Sequence, residues 1–219
     1  MVIIETIAHK IADRISLQLG YDEDKKSVIT YGLIGLLQIV FILMIIIIIG
    51  IFFDFLYESI VIYVGVGFIR KSTGGAHSRS MNGCNIVSVL SIVIMSALSR
   101  YIFNFPLNQW SNFGITILVF FVCLIVFYLK VPMDNPNKPI VRPEKIKRLR
   151  RQSFIKLGML LLISTVFILL ATSYSRFYSI TTSIRMIMFW LLLTLSRPGI
   201  WILSKFDSCI DHMIRKSNV

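Results

Sequence analysis

Apolar residues in this chain come in long blocks instead of the periodic pattern of a soluble core, and the blocks predict its elements. No charge interrupts residues 27–53, and equally clean runs recur at 114–129 and 157–175. Uncharged stretches of about 20 residues are what a helix needs to cross the hydrocarbon core of a bilayer. The pattern predicts an all-α, polytopic integral membrane protein of about six transmembrane helices in one domain, 1–219, with spans at 28–53, 55–69, 84–99, 113–129, 154–175 and 184–204. The first is longer than a bilayer requires and implies tilt. The second is thin for a span and follows Asp54, with Glu58 near its start.

Ahead of the spans, Ile3, Ile4, Ile7, Ala8, Ile11, Ala12, Ile15 and Leu19 recur at three- and four-residue steps with the charges opposite. This spacing predicts an amphipathic helix over 1–20, ended by Gly20, that lies in the membrane surface or docks on the protein's own loops. Glu5, His9, Lys10, Asp13 and Arg14 break the apolar stretch that a cleaved secretory signal needs, so no such signal is expected.

Composition agrees with the blocks. With 56% hydrophobic residues, 16% charged and a mean hydropathy of +0.77, the chain has too little polar surface to cover itself in water. A soluble enzyme, a secreted disulfide scaffold and a disordered tail are excluded. The net charge of +12 comes from 23 Lys and Arg that sit between apolar runs and not along a basic, aromatic-studded face. Anionic lipid, not nucleic acid, is the expected partner. Three scattered cysteines, at 84, 123 and 209, cannot build a disulfide framework and fit a reduced, cytoplasm-facing setting.

The basic residues also orient the chain, because short loops rich in Lys and Arg stay in the cytoplasm. Segments 70–79 and 130–151 hold three and eight of them, whereas 54–58, 100–112 and 172–185 hold none, one and two. Six spans with both termini cytoplasmic satisfy every loop, with cytoplasmic loops at 70–83 and 130–153.

The most informative stretch follows Arg70 and Lys71, where the composition turns abruptly to Ser, Thr and Gly and contains one of three histidines, His77, seven residues before Cys84. On a continuous helix seven residues span about 10.5 Å, far more than the roughly 3 Å a thiol-imidazole hydrogen bond needs. The segment must therefore fold back, and Gly74, Gly75 and the Asn82-Gly83 pair are the residue types that permit it. If the third span begins near Asn82, Cys84 lies in its first turn, where helix N–H groups and the helix dipole stabilise a thiolate. His77 would act as acid and base, Arg70 or Lys71 would add positive potential, and backbone donors would hold an oxyanion. Candidates to orient His77 are Gln38, Asn82 and Ser78. The plainer readings stand beside this: a cysteine entering a membrane helix commonly just packs, a loop histidine is commonly solvated, and Gln38 is commonly glue between helices. A metal site is not expected, since His9, His212, Cys123 and Cys209 are remote in sequence or inside spans. No phosphate-binding motif is present, and no cofactor is expected.

The string Gly74-Gly75-Ala76-His77, six residues, then Cys84, preceded by Arg70 and placed before the third of six spans, resembles the accessory gene regulator protein B (AgrB) family. The turn-rich segment 132–139 resembles that family's second recurrent segment, and the likeness extends over the whole chain in size and layout. The resemblance implies a homodimeric membrane cysteine endopeptidase of Gram-positive quorum sensing, sited in the cell membrane, that removes the C-terminal part of a short signal propeptide and promotes cyclisation of the rest. It implies Cys84 as nucleophile, His77 as general base, and Arg70 and Gly75 as supporting positions. A thioester on Cys84 that passes to a thiol of the propeptide closes a thiolactone without nucleotide. If the propeptide carries an acidic tail, Lys147, Arg148, Arg150 and Arg151 form a patch that would capture it. The competing reading is a small transporter or permease component, in which Gln38 and Arg70 line a path and Cys84 is incidental.

The topology predicts that a cysteine tag at Val219 reacts with membrane-impermeant reagents only after cells are opened. Labelling in intact cells would overturn the six-span arrangement.

Overall fold

The computed structural model describes residues 2–75, 81–104, 107–133, 142–174 and 176–217, and all their regular structure is helical. The helices are α1 (Val2–Leu19), α2 (Glu23–Phe52), α3 (Leu56–Thr73), α4 (Met81–Ala97, continued by a π-turn at Leu98–Ile102), α5 (Gln109–Lys130), α6 (Pro143–Ala171), α7 (Arg176–Leu195) and α8 (Arg197–Ser217). The chain is an all-α polytopic membrane protein. Among the described residues five helices are long and apolar enough to cross a membrane: α2, α4 with its π-turn, α5, α6 and α7. Helix α3, the expected second span, is not among them, because Glu58, Arg70 and Lys71 fall within its 18 residues. It can carry them because it is packed against α2, α4, α6 and α7 instead of standing alone in lipid.

Several expected boundaries are corrected. The basic run placed in a loop over 130–153 is helical from Pro143, and the span expected at 154–175 is the second half of one 29-residue helix ending at Ala171. Lys and Arg are good helix formers, and proline suits a first turn, so the run extends the helix outward and does not interrupt it. The span expected at 184–204 is also redrawn. Helix α7 begins at Arg176, and its Ser- and Thr-rich start is buried, with Ser179, Thr181, Thr182 and Ser183 all inside the protein. These hydroxyls bond back into their own helix, Ser183 to the Ser179 carbonyl at 2.9 Å and Thr181 to the Phe177 carbonyl at 3.0 Å. Polar residues satisfied in this way need no lipid-facing apolar pattern, which is why the pattern missed them. The helix stops at Leu195. The Gly199 amide donates to the Ser196 hydroxyl at 3.0 Å, capping α8, and a Cβ on Gly199 would lie 1.8 Å from the Leu193 carbonyl oxygen. Only glycine allows so tight a corner.

Helix α1 turns at Gly20 and packs back on α2, tied by an Asp13–Lys26 ion pair of 2.9 Å. It buries the small residues Ala8, Ala12 and Ser16, while Ile7 and Ile11 stay exposed. The Lys26 ammonium also donates to the Glu23 carboxylate at 3.3 Å.

Helices α3 and α7 form the centre, and Ile62, Ile69, Ile184, Ile187, Met188 and Leu191 are fully or nearly fully enclosed. Basic side chains then bond carbonyls of three helices on one face. Lys130 donates to the Leu195 carbonyl of α7 at 2.9 Å, Arg150 to the Tyr128 carbonyl of α5 at 2.8 Å, and Lys156 to the Phe68 carbonyl of α3. Cations at helix C-termini also complement the dipole. At the opposite end Arg100 of the π-turn pairs with Asp54 at 2.7 Å and approaches the buried Glu58 at 4.0 Å.

Candidate active site

Helix α4 begins at Met81, so Cys84 falls in its first turn, half-buried. His77 and Ser78 lie in 76–80, outside the described residues, as does the side chain of Asn82. The remaining residues singled out from the sequence can be placed. Gln38 of α2 donates its side-chain amide to the Asn85 carboxamide oxygen, so the residue next to Cys84 is tied to α2. Gln38 and Arg70 both line, together with Cys84, an open cavity of about 690 Å³ bordered by α2, α3, α4 and Trp190 of α7. The Arg70 guanidinium lies close enough to Cys84 for the two to interact electrostatically. A cavity of this size that joins a nucleophile to an otherwise largely apolar wall is what a ligand site in a helical bundle requires.

The glycines serve backbone geometry. Gly74 has φ +70 and forms a parallel bridge with Met133, while the Met133 amide donates to the Thr73 carbonyl at 2.8 Å. A Cβ on Gly74 would sit 2.3 Å from the Met133 carbonyl oxygen. Gly75 has φ +128, and a Cβ there would lie 3.5 Å from the Thr194 hydroxyl and 3.6 Å from a terminal nitrogen of Arg70. The end of α3 is therefore stitched to the segment that follows α5, and Arg70 is held beneath Gly75 against α7.

Other expected residues stand apart. Lys147, Arg148, Arg150 and Arg151 lie on the first turns of α6, and none lines the cavity. Arg150 has its own task, its carbonyl bond being joined by a stacking contact on the Tyr128 ring at 5.2 Å. Lys147, Arg148 and Arg151 are exposed. Cys123 is buried in α5 with its thiol against the Met188 carbonyl, and Cys209 is in α8. Among the described residues no group of His, Cys, Asp and Glu could hold a metal ion. Sequence reasoning missed Asn85, Ser88, Ser91 and Trp190. The two serines were legible in principle, standing four and seven residues from Cys84 on one helical face. Trp190 carries no local signal, and Met133 belongs to the turn-rich segment already noted in the sequence.

The chain matches the family model described as Accessory gene regulator B over residues 8–195. It is 28% identical over 213 residues to a putative AgrB-like protein of Clostridium perfringens (strain SM101 / Type A), covering 96% of this chain and 100% of that one. It is 25% identical over 167 residues to a putative AgrB-like protein of Clostridium acetobutylicum, covering 74% and 76%. To the protein FsrB of Enterococcus faecalis it is 28% identical over 149 residues, 67% of this chain and 57% of that one. No solved structure matches it significantly.

Replacing Gly74 by alanine forces a side chain into a nearly glycine-only conformation, a strain of about 1–3 kcal/mol, and against the Met133 carbonyl. The expected result is a variant that inserts normally but unfolds at lower temperature in detergent and shows an altered maleimide-labelling rate at Cys84. Unchanged melting and labelling would mean that the tie to Met133 neither stabilises the fold nor influences the surroundings of Cys84.

Proposed function

The chain belongs to the accessory gene regulator B family, whose work is the processing of quorum-sensing peptides, and from that premise we propose that it is a membrane-embedded cysteine endopeptidase. Its substrate is a short signal propeptide, cut so that the C-terminal part is released. The observation that carries the reading is the position of Cys84: first turn of a helix, at a cavity shared with Arg70 and Gln38. A helix N-terminus and a neighbouring guanidinium are the kind of surroundings in which a cysteine serves as a nucleophile.

In the proposed reaction the Cys84 sulfur attacks the scissile carbonyl and forms a thioester. The C–N bond breaks as His77 gives a proton to the departing amine. The thioester then passes to water or to a thiol or hydroxyl of the propeptide, and the second route closes a thiolactone or lactone. An apolar surrounding disfavours water and so favours ring closure. Gly74 and Gly75 set the backbone that leads to His77, and Gln38, Asn82 and Arg70 support the pair. The protein acts in the cell membrane of a Gram-positive bacterium, with both termini and the Cys84 end of the bundle facing the cytoplasm, and works as a homodimer. Anionic lipid neutralises its basic face. It uses no metal or other cofactor.

Two measurements test this reading. Cys84→Ala and His77→Ala should each abolish propeptide cleavage in cells co-expressing the propeptide, while Cys123→Ala and Cys209→Ala retain it. Normal cleavage by Cys84→Ala would end the endopeptidase assignment.

The second concerns capture of an acidic propeptide tail by the exposed cations at the start of α6. Lys147 and Arg151, one helical turn apart, share a face, and Arg150 is already engaged. Changing both to glutamine should raise the propeptide concentration for half-maximal cleavage about three- to fivefold, within the range of exposed charge pairs, with the maximal rate retained. The effect should fade as salt screens it. An unaltered concentration dependence would leave the run as a topology signal.

A further inference from the structure

Cys84, Ser88, Ser91 and Met95 all line the cavity, and their spacing of four, three and four residues puts them in one stripe along α4. The stripe is about 16 Å long at 1.5 Å per residue. Across it stand Ile42 of α2 and Tyr63 of α3, and Trp190 comes in from α7. Gln38 is held at the Cys84 level by its bond to Asn85, and Arg70 is near Cys84, so the polar groups gather at that end. Deeper in, Ile42, Ile92, Met95 and Trp190 make an apolar wall relieved by two serine hydroxyls.

We propose, building on the endopeptidase reading, that this cavity is the acyl-side subsite. It receives the residues that precede the scissile bond, up to about five of them in extended form at 3.3 Å each, and selects for apolar side chains. The argument comes from which fragment stays. Attack by sulfur leaves the N-terminal fragment covalently on Cys84 as an acyl group, while the C-terminal fragment departs as an amine. The fragment that stays has to extend from the thiol, and the cavity that Cys84 lines runs down the α4 stripe. The departing fragment needs an open way out, and the exposed cations of α6 suit an acidic one. A carboxylate in the apolar depth would lose its hydration without a partner, so acidic residues are excluded from the acyl side. The hydroxyls of Ser88 and Ser91 offer bonds to a peptide backbone without demanding charge.

Two peptidyl chloromethyl ketones with the wild-type protein in liposomes test the assignment, one ending in Phe-Phe and one in Asp-Asp, with alkylation of Cys84 followed by mass spectrometry. The phenylalanine probe should react at least about tenfold faster, the scale on which a fitted apolar pocket discriminates. Met95→Trp, which fills the depth, should cut that preference about tenfold. Trp190→Ala, which enlarges the depth, should shift the preference toward a probe ending in naphthylalanine. Thermal unfolding in detergent identifies a variant that has not folded, and the other then carries the test. A preference for phenylalanine that both folded variants keep unchanged would reflect partitioning into lipid and would overturn the assignment. So would equal reaction of the two probes with the wild-type protein. The two ideas fail separately. Cleavage surviving Cys84→Ala removes the endopeptidase, whereas cleavage that needs Cys84 alongside an unresponsive probe preference removes only the subsite.

Discussion

A bilayer interior offers no water, so each polar group that a helix carries into it must be answered by the protein itself. That constraint explains the internal wiring of this bundle. Serine and threonine hydroxyls bond back one turn, as Ser96 does to the Ile92 carbonyl at 2.7 Å. Arg185, buried in α7, donates to Thr116 at 3.1 Å and to Asn112, both on α5. Such bonds are directional where apolar packing between helices in lipid is not, and they fix which helices are neighbours. Helices α3 and α7 occupy the centre because they carry many of the groups that need answering: Glu58 and Arg70 on one, a run of hydroxyls and Arg185 on the other.

The same constraint gives the basic residues two tasks. The Lys and Arg clusters would orient the chain through loop charge alone. In the folded bundle Lys130 and Arg150 also close the last turns of α7 and α5, where carbonyls have no helical partner, and Lys156 bonds the Phe68 carbonyl of α3. The charges left exposed, Lys147, Arg148 and Arg151, are then a surface on the same face as those helix ends.

Against this background the cavity beside Cys84 is the place where close packing is given up. Gln38, Arg70 and two serines line it without filling it. The backbone just beyond Arg70 is fixed by a separate tie. Gly74 and Thr73 are joined to Met133, so the two segments noted separately in the sequence, one before α4 and one after α5, meet in a single structure. A change in either would be felt at the thiol through that tie.

Much of this was legible from the chain alone, and the limit has a physical cause. Blocks of about 20 apolar residues are a solvent requirement of the bilayer, so an all-α membrane protein followed from residues 27–53, 114–129 and 157–175 without tertiary information. Cys84 in a first helical turn followed from local chemistry, because Gly74 and Gly75 end α3 and let a new helix begin ahead of Cys84, although the Asn82-Gly83 pair, expected to turn, lies inside that helix. Boundaries failed where neighbours replace lipid as the surroundings. The hydroxyl-rich start of α7 reads as a loop until it is seen buried, and α3 reads as a thin span until its charges are seen packed among four helices. Charge spacing showed a basic run but not that Arg150 is engaged, since its partner Tyr128 is on another helix. Likewise Ser88 and Ser91 share a helical face with Cys84 by simple periodicity, whereas Trp190 and Met133 reach the site only through the packing of α7 and the turn after α5. Periodicity acts along one helix, and the closure of a cavity is decided between helices.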